Sequence, residues 1–472
     1  MVDYRGWRAL APLSLGFLLI GMNATSVNLA LPSLEIEFGL SERSLVWVVN
    51  SYLLTLSGFL LVGGRLGDFF GHSRMFLFGI IVFTSAMLGC TFAFSTPSLI
   101  ATRAAQGIGA AIVSAAALPA IANIFTDTTA RARALSIRAT VGASGASVGS
   151  LFGGAIVSAC GWRGMFLANA ILGACVFFMA YPVLPRERGK AKWQHIDVGG
   201  AVTATATLLL VIYIAVGSDR TAGGYSIWSF VLLLIAVAFG IGFVEIEKRV
   251  PSPILPFGLL RAPNFVIANV CAALWSAAVL TGNIVAVLYL QRVLKLSPLQ
   301  AGLMFLPATV AGALIALLVT PILVSRFGFK RPLTLALLVA AGGLALLTFA
   351  AADGSAFRGM LPGILLMVLS NGLIYSPLML GALSGVPPSI SGAASGVINS
   401  SLMVGGSVGL ALLMGAATLH TSDLLASGST LQSALSAGYR VAFVLASLLA
   451  LLAVALCILF VRNQFTRVHA NI

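Results

Sequence analysis

Gly64-Arg65-Leu66-Gly67-Asp68-Phe69-Phe70-Gly71-His72-Ser73-Arg74 is a short charged stretch between two long apolar runs. Its glycines permit a tight reversal and a close approach of the flanking segments. Asp68 has the chemistry to accept bonds from a neighbouring helix N-terminus, or to pair with Arg131 and Arg133 farther along the chain. Residues 321–331, PILVSRFGFKR, carry a diluted copy in which Gly328 stands for Gly71 and Arg331 for Arg74. Upstream, Ser41 and Ser297 precede the corresponding apolar runs at nearly the same offset. An internal repeat of this kind builds two helical bundles around a shared midplane.

The remainder of the chain agrees with that reading. Of its 472 residues 59% are hydrophobic and only 8% charged, whereas soluble chains carry roughly 25% charged residues. Apolar runs long enough to cross a hydrocarbon core alternate with short charged connections. The predicted spans are 9–31, 46–67, 75–95, 98–123, 134–158, 163–184, 198–217, 226–245, 264–290, 299–324, 332–351, 358–384, 391–418 and 438–461. The fold class is therefore an all-α, multi-pass membrane protein surrounded by lipid. Many of the 50 glycines fall inside these runs, where small residues let helices pack closely in lipid.

The net charge of +14 follows topology. Arg5, Arg8, Arg65, Arg74, Arg131, Arg133, Arg186, Arg188, Lys190 and Lys192 fall on one side. The other side holds fewer, among them Arg43, Arg163, Arg220, Arg292 and Lys295. That asymmetry predicts both termini in the cytoplasm, and it accounts for the basic charge without nucleic acid. The five cysteines show no metal or redox spacing, so they read as small packing residues and no cofactor is expected. An intramembrane enzyme would need paired carboxylates, His ligands or an activated nucleophile within the spans, and the sequence presents no such cluster.

Residues 64–74 resemble the loop signature of the major facilitator superfamily. Arg103-Ala104-Ala105-Gln106-Gly107-Ile108-Gly109 resembles a second motif of that superfamily. Gly145, Gly149, Gly153 and Gly154 resemble its glycine-rich antiporter motif, with Ser150 in place of the usual proline. Asn23-Ala24-Thr25-Ser26-Val27-Asn28-Leu29-Ala30-Leu31-Pro32 is similar to the first-helix pattern of the fourteen-helix drug:proton antiporters, except that Asn23 replaces the acid. The resemblance implies two six-helix bundles, 1–190 and 263–472, with two inserted transmembrane helices within 191–262. It further implies a secondary transporter of the plasma (inner) membrane that exports small amphipathic molecules by alternating access. Gly64, Asp68, Gly71, Arg74, Arg131 and Arg133 would form a conformational latch. Asn23, Arg103 and Arg138 are the positions tied to transport or coupling, Arg138 standing where an aromatic is usual.

Two questions stay open on the residues alone. None of the thirteen carboxylates is placed mid-membrane, and asparagine cannot titrate, so proton coupling would need an interfacial acid, a protonatable substrate or another ion. A uniporter, or a lipid or organic-anion carrier, is the alternative. Arg138 either snorkels to the interface or faces a cavity with Arg103, where two unbalanced cations would favour an anionic substrate. Polar or aromatic candidates for that cavity are Asn28, Asn50, Tyr52, Gln106, Trp275, Asn283, Asn371, Tyr375 and Asn399. Each serves equally well as an interhelical hydrogen-bonding group.

Overall fold

A computed structural model describes residues 4–125, 127–185, 198–217, 220–221, 224–225, 227–250, 257–350, 356–386 and 391–461. The helices are α1 (Tyr4–Phe38), α2 (Glu42–Phe70), α3 (His72–Thr91), α4 (Thr96–Ile124), α5 (Thr128–Ala180), α6 (Val198–Gly217), α7 (Ile227–Glu247) and α8 (Pro263–Leu288). They continue with α9 (Pro298–Leu314), α10 (Thr320–Phe327), α11 (Lys330–Leu347), α12 (Ala356–Gly359), α13 (Leu361–Leu383), α14 (Ser391–Ala426) and α15 (Leu431–Phe460). Among the described residues, 11 helices are long and apolar enough to cross a membrane. Shorter apolar stretches, Ser44–Leu60 and Val202–Val211, lie within α2 and α6. The two spans expected over 134–158 and 163–184 are both present, as two helical segments within α5. The non-helical backbone of Gly161, φ +69°, separates the two segments; a residue without Cβ adopts that backbone with little strain.

Local chemistry explains where the helices begin and end. Ser41 caps α2 through the Ser44 amide, and Ser297 forms a capping box with Gln300 at the start of α9. Such caps satisfy amides that the helix itself leaves unpaired. Gly71 (φ +96°) separates α2 from α3, and Gly328 (φ +70°) separates α10 from α11. The paired positions of the sequence repeat thus have the same structural jobs in both halves.

Helices α1–α5 pack on one another, and so do α8, α9, α11 and α13–α15. The side carrying the Gly71 turn and the start of α1 is called here the terminal side, and its opposite the far side. The apolar core is continuous on the far side. There a single cluster joins Leu29, Leu34 and Val49 to Leu288, Phe305 and Tyr439 across both groups of helices. Toward the terminal side it divides. Leu13, Phe76 and Val113 belong to one cluster, and Phe265, Leu337 and Leu378 to another.

The pair α6–α7 is joined by an antiparallel link, Arg220–Thr221 with Gly224–Tyr225. Helix α6 leans on α2 and α14. Thr205 Oγ1 donates to the Gly58 carbonyl at 2.7 Å, and the rings of Trp47 and Tyr213 lie 5.5 Å apart. Of the described side chains of α7, half are exposed and only Ala236 and Glu247 are buried.

Helices α1 and α5 approach through glycine. A Cβ at Gly145 would stand 2.7 Å from the Leu18 carbonyl, and one at Gly149 would overlap Thr25 Oγ1 and the Met22 carbonyl. Gly64, by contrast, has open space at the Cβ position. Gly149→Val is expected to destabilise the protein by about 1–3 kcal/mol through overpacking, whereas Gly64→Ala is expected to be nearly neutral. Thermal unfolding of the two purified variants in detergent checks the contrast.

Candidate functional site

The far-side junction is built from polar contacts between the two groups of helices. Glu35, near the end of α1, forms an ion pair with Arg292, whose side chain is 9% exposed against 31% for Glu35. Arg292 also donates to Tyr439 Oη at 2.6 Å. Beside it, Gln291 Nε2 donates to the Leu29 carbonyl at 3.2 Å. Asn50 is fully buried and spans the groups, its Nδ2 donating to the Ser407 carbonyl at 3.2 Å. The Leu299 amide donates to Ser158 Oγ at 3.0 Å. Farther out, Glu37 pairs with Arg163 and accepts from Trp162 Nε1 at 2.6 Å.

Toward the terminal side, polar groups from the two halves face one another without such a junction. Asn371 and Tyr375 lie one turn apart on an exposed face of α13, and Tyr375 is 53% exposed. Its hydroxyl donates to Asn399 Oδ1 on α14 at 3.3 Å. Arg138 on α5 lies within electrostatic reach of the same phenol. A polar, exposed stripe in the middle of a membrane helix belongs against water or ligand rather than lipid. The arrangement is a cleft closed on the far side and accessible from the terminal side.

The three positions tied to coupling lie apart in environment. Arg103 is 1% exposed and enclosed by α2 and α4. Its Nε donates to the Val48 carbonyl at 3.1 Å, its Nη1 to Gln106 Oε1 at 2.5 Å, and its guanidinium lies 4.5 Å from the centroid of the Tyr52 ring. The structure therefore brings Arg103, Gln106 and Tyr52 together as a packed knot. The expectation of one cavity shared by Arg103 and Arg138 is corrected accordingly, because neighbouring helix groups already satisfy and cover Arg103. Asn23 is wholly buried, with neither side-chain atom hydrogen bonded. Arg138 is 8% exposed and lies 4.1 Å from the centroid of the Phe17 ring.

The other candidates divide similarly. Trp275 Nε1 donates to Ser370 Oγ at 3.3 Å, and Asn283 bonds back to the Val279 carbonyl of its own helix. Asn28 is half-buried. Of the latch residues, Arg74 and Arg133 are exposed and Arg131 is half-buried, while the Asp68 side chain lies outside the described residues. Gly153 faces Ser26, and Gly154 faces the Pro298 carbonyl across the two halves. Sequence reasoning missed Phe17, Glu35, Arg292 and Ser407. Only the ion pair left a signal, as an acid and a base near the far ends of two apolar runs.

The sequence pattern of the Major Facilitator Superfamily is matched by residues 13–410. The chain belongs to the major facilitator superfamily. It is 34% identical over 403 residues to the cephamycin export protein of Amycolatopsis lactamdurans, covering 84% of this chain and 82% of that one. It is 33% identical over 437 residues to the puromycin resistance protein of Streptomyces alboniger, covering 91% and 85%. Among solved structures, an inward-facing, unoccupied bacterial homolog of the human lysosomal transporter Spinster superposes with a TM-score of 0.72. That alignment covers 99% of this chain and 100% of the other at 15% identity, a likeness of fold. The protein is thus a multi-pass membrane transporter that handles small molecules, and not an enzyme.

The Glu35–Arg292 pair sits where the two halves meet. Glu35→Ala is expected to loosen the far-side junction by leaving the arginine without its partner. In a background freed of native cysteines, a cysteine at Ser407 should then react several-fold faster with an impermeant maleimide applied from the far side.

Proposed function

We propose that this transporter exports small amphipathic molecules by alternating access. The moving bodies in this reading are residues 1–190 and 263–472, with α6 of the inserted pair packed on both α2 and α14. The single observation that carries it is the apolar core, continuous on the far side and divided on the terminal side. Rocking the two bodies would exchange one closed face for the other. The names of the relatives, cephamycin export and puromycin resistance, supply the direction and the substrate class. The distribution of Arg and Lys supports cytoplasmic termini, and in this reading the protein resides in the plasma (inner) membrane. The structure then corresponds to the inward-facing state, ready to load from the cell interior. Residues 64–74 with Arg131 and Arg133 would latch the cytoplasmic side when the bodies close there.

Coupling is the open branch of the mechanism, and Asn23 decides how it is read. Where the related pattern carries an acid, this chain has a buried amide without a hydrogen-bond partner. That observation favours a second reading, a uniporter or an organic-anion carrier without proton exchange. Interfacial Glu35, a protonatable substrate or another ion are the routes by which coupling would survive.

Reconstitution into proteoliposomes tests both readings, with pH gradient and voltage imposed separately across a panel of amphipathic compounds. An antiporter accumulates or expels substrate against its gradient, because each charge crossing gains about 2.3 kcal/mol per 100 mV. An uncoupled carrier only equilibrates it, and failure to move any compound would remove the export reading. Asn23→Asp restores a titratable group at a position with 0% exposure. If an acid at this position is what couples transport to protons, transport by that variant becomes steeper in its dependence on the pH gradient than that of the wild type.

A further inference from the structure

Arg138 is a cation that the far-side junction and the Arg103 knot leave unused. It lies ten residues beyond Thr128, the first residue of α5, so it is about 15 Å along the helix at 1.5 Å per residue. Its guanidinium packs against α1. It is stacked over Phe17 of α1, 4.1 Å from the ring centroid. The ring occupies that place because Gly142, one turn beyond Arg138, has no side chain there; a Cβ at Gly142 would overlap Phe17 Cδ1. Among the described residues no carboxylate pairs with Arg138, and its Nε is buried without a hydrogen-bond partner. From the opposite half, the Tyr375 phenol lies within electrostatic reach of it and is held by Asn399.

Resting on the transporter reading above, we propose that Arg138, backed by Phe17 and faced by Tyr375, is the binding subsite for a carboxylate group of the transported molecule. A guanidinium in a low-dielectric cleft is costly when unpaired. Its planar fork matches a carboxylate with two parallel hydrogen bonds, which a neutral amide cannot reproduce. The phenolic hydroxyl supplies a third donor once it leaves Asn399. Because Arg138 and Phe17 come from one half and Tyr375 from the other, a bound carboxylate would bridge them across the cleft. The subsite thus selects small organic acids with an apolar body over their neutral counterparts.

The test compares a matched pair of fluorescent probes, dansylglycine and its carboxamide, on the purified full chain in lipid nanodiscs. The wild type is expected to bind the acid about tenfold more tightly than the amide. Arg138→Gln is expected to bring the ratio near one, Arg138→Lys to leave an intermediate ratio, and Tyr375→Phe to lower it in part. Thermal unfolding confirms that each variant is folded; if Arg138→Gln is not, the Arg138→Lys and Tyr375→Phe ratios decide. Equal affinity of the wild type for both probes, binding of neither, or a preference that survives substitution of Arg138 overturns the proposal. Movement of neutral compounds in the proteoliposome panel without an acid preference would defeat this subsite alone. A panel in which nothing moves defeats the transporter reading instead.

Discussion

The glycine-lined contact between α1 and α5 is the constraint on which the rest of the site depends. Lipid gives helices no hydrophobic reason to associate, so close packing and backbone approach must hold them. Gly145, Gly149 and Gly153 let α5 lie against Leu18, Met22 and Ser26, and Ser26 Oγ donates across the contact to the Gly149 carbonyl at 3.1 Å. The same approach sets Phe17 against Gly142 and so places a ring beneath Arg138. Larger side chains at these positions would push the helices apart, and the stacked arginine would lose its platform.

A second constraint is how each half satisfies its polar groups. Arg103 is enclosed by a carbonyl, an amide and an aromatic ring, all on α2 and α4. It ties one bundle together and needs nothing from the other. Arg138 differs, having a ring on one side and the opposite half on the other. Two arginines buried in similar degree thus have different chemistry, because one is saturated by its own bundle and the other is not. The far-side contacts belong to a third class. Glu35 with Arg292 and Asn50 with Ser407 cross between halves, so any motion that opens the far side must break them.

Much of the fold was legible because membrane spans leave strong marks in sequence. Long apolar runs, caps at Ser41 and Ser297, and turn glycines at 71 and 328 set helix positions locally. Around Gly161 two spans were expected, and two helical segments meet there at a non-helical glycine. Apolar runs report the bilayer crossings, and they do not report how sharply the backbone turns between them. The site was less legible. Arg138 and Tyr375 are 237 positions apart by number, and nothing in their local sequence announces that they come within electrostatic reach. Asn283 and Tyr375 look alike as polar positions within spans, yet one bonds to its own helix and the other faces the opposite half.

The sequence by itself determined that this chain crosses a membrane repeatedly, that it is built on a repeat, and that its first helix carries an amide where an acid is usual. Those properties follow from hydropathy, backbone dihedral preference and side-chain chemistry, all of which act locally. Only the tertiary structure decided which face of the cleft is closed, which arginine is already satisfied, and which aromatic ring supports the other. The reason is that burial and pairing are properties of neighbours in space, and two helices far apart in the chain become neighbours only when the bundles assemble.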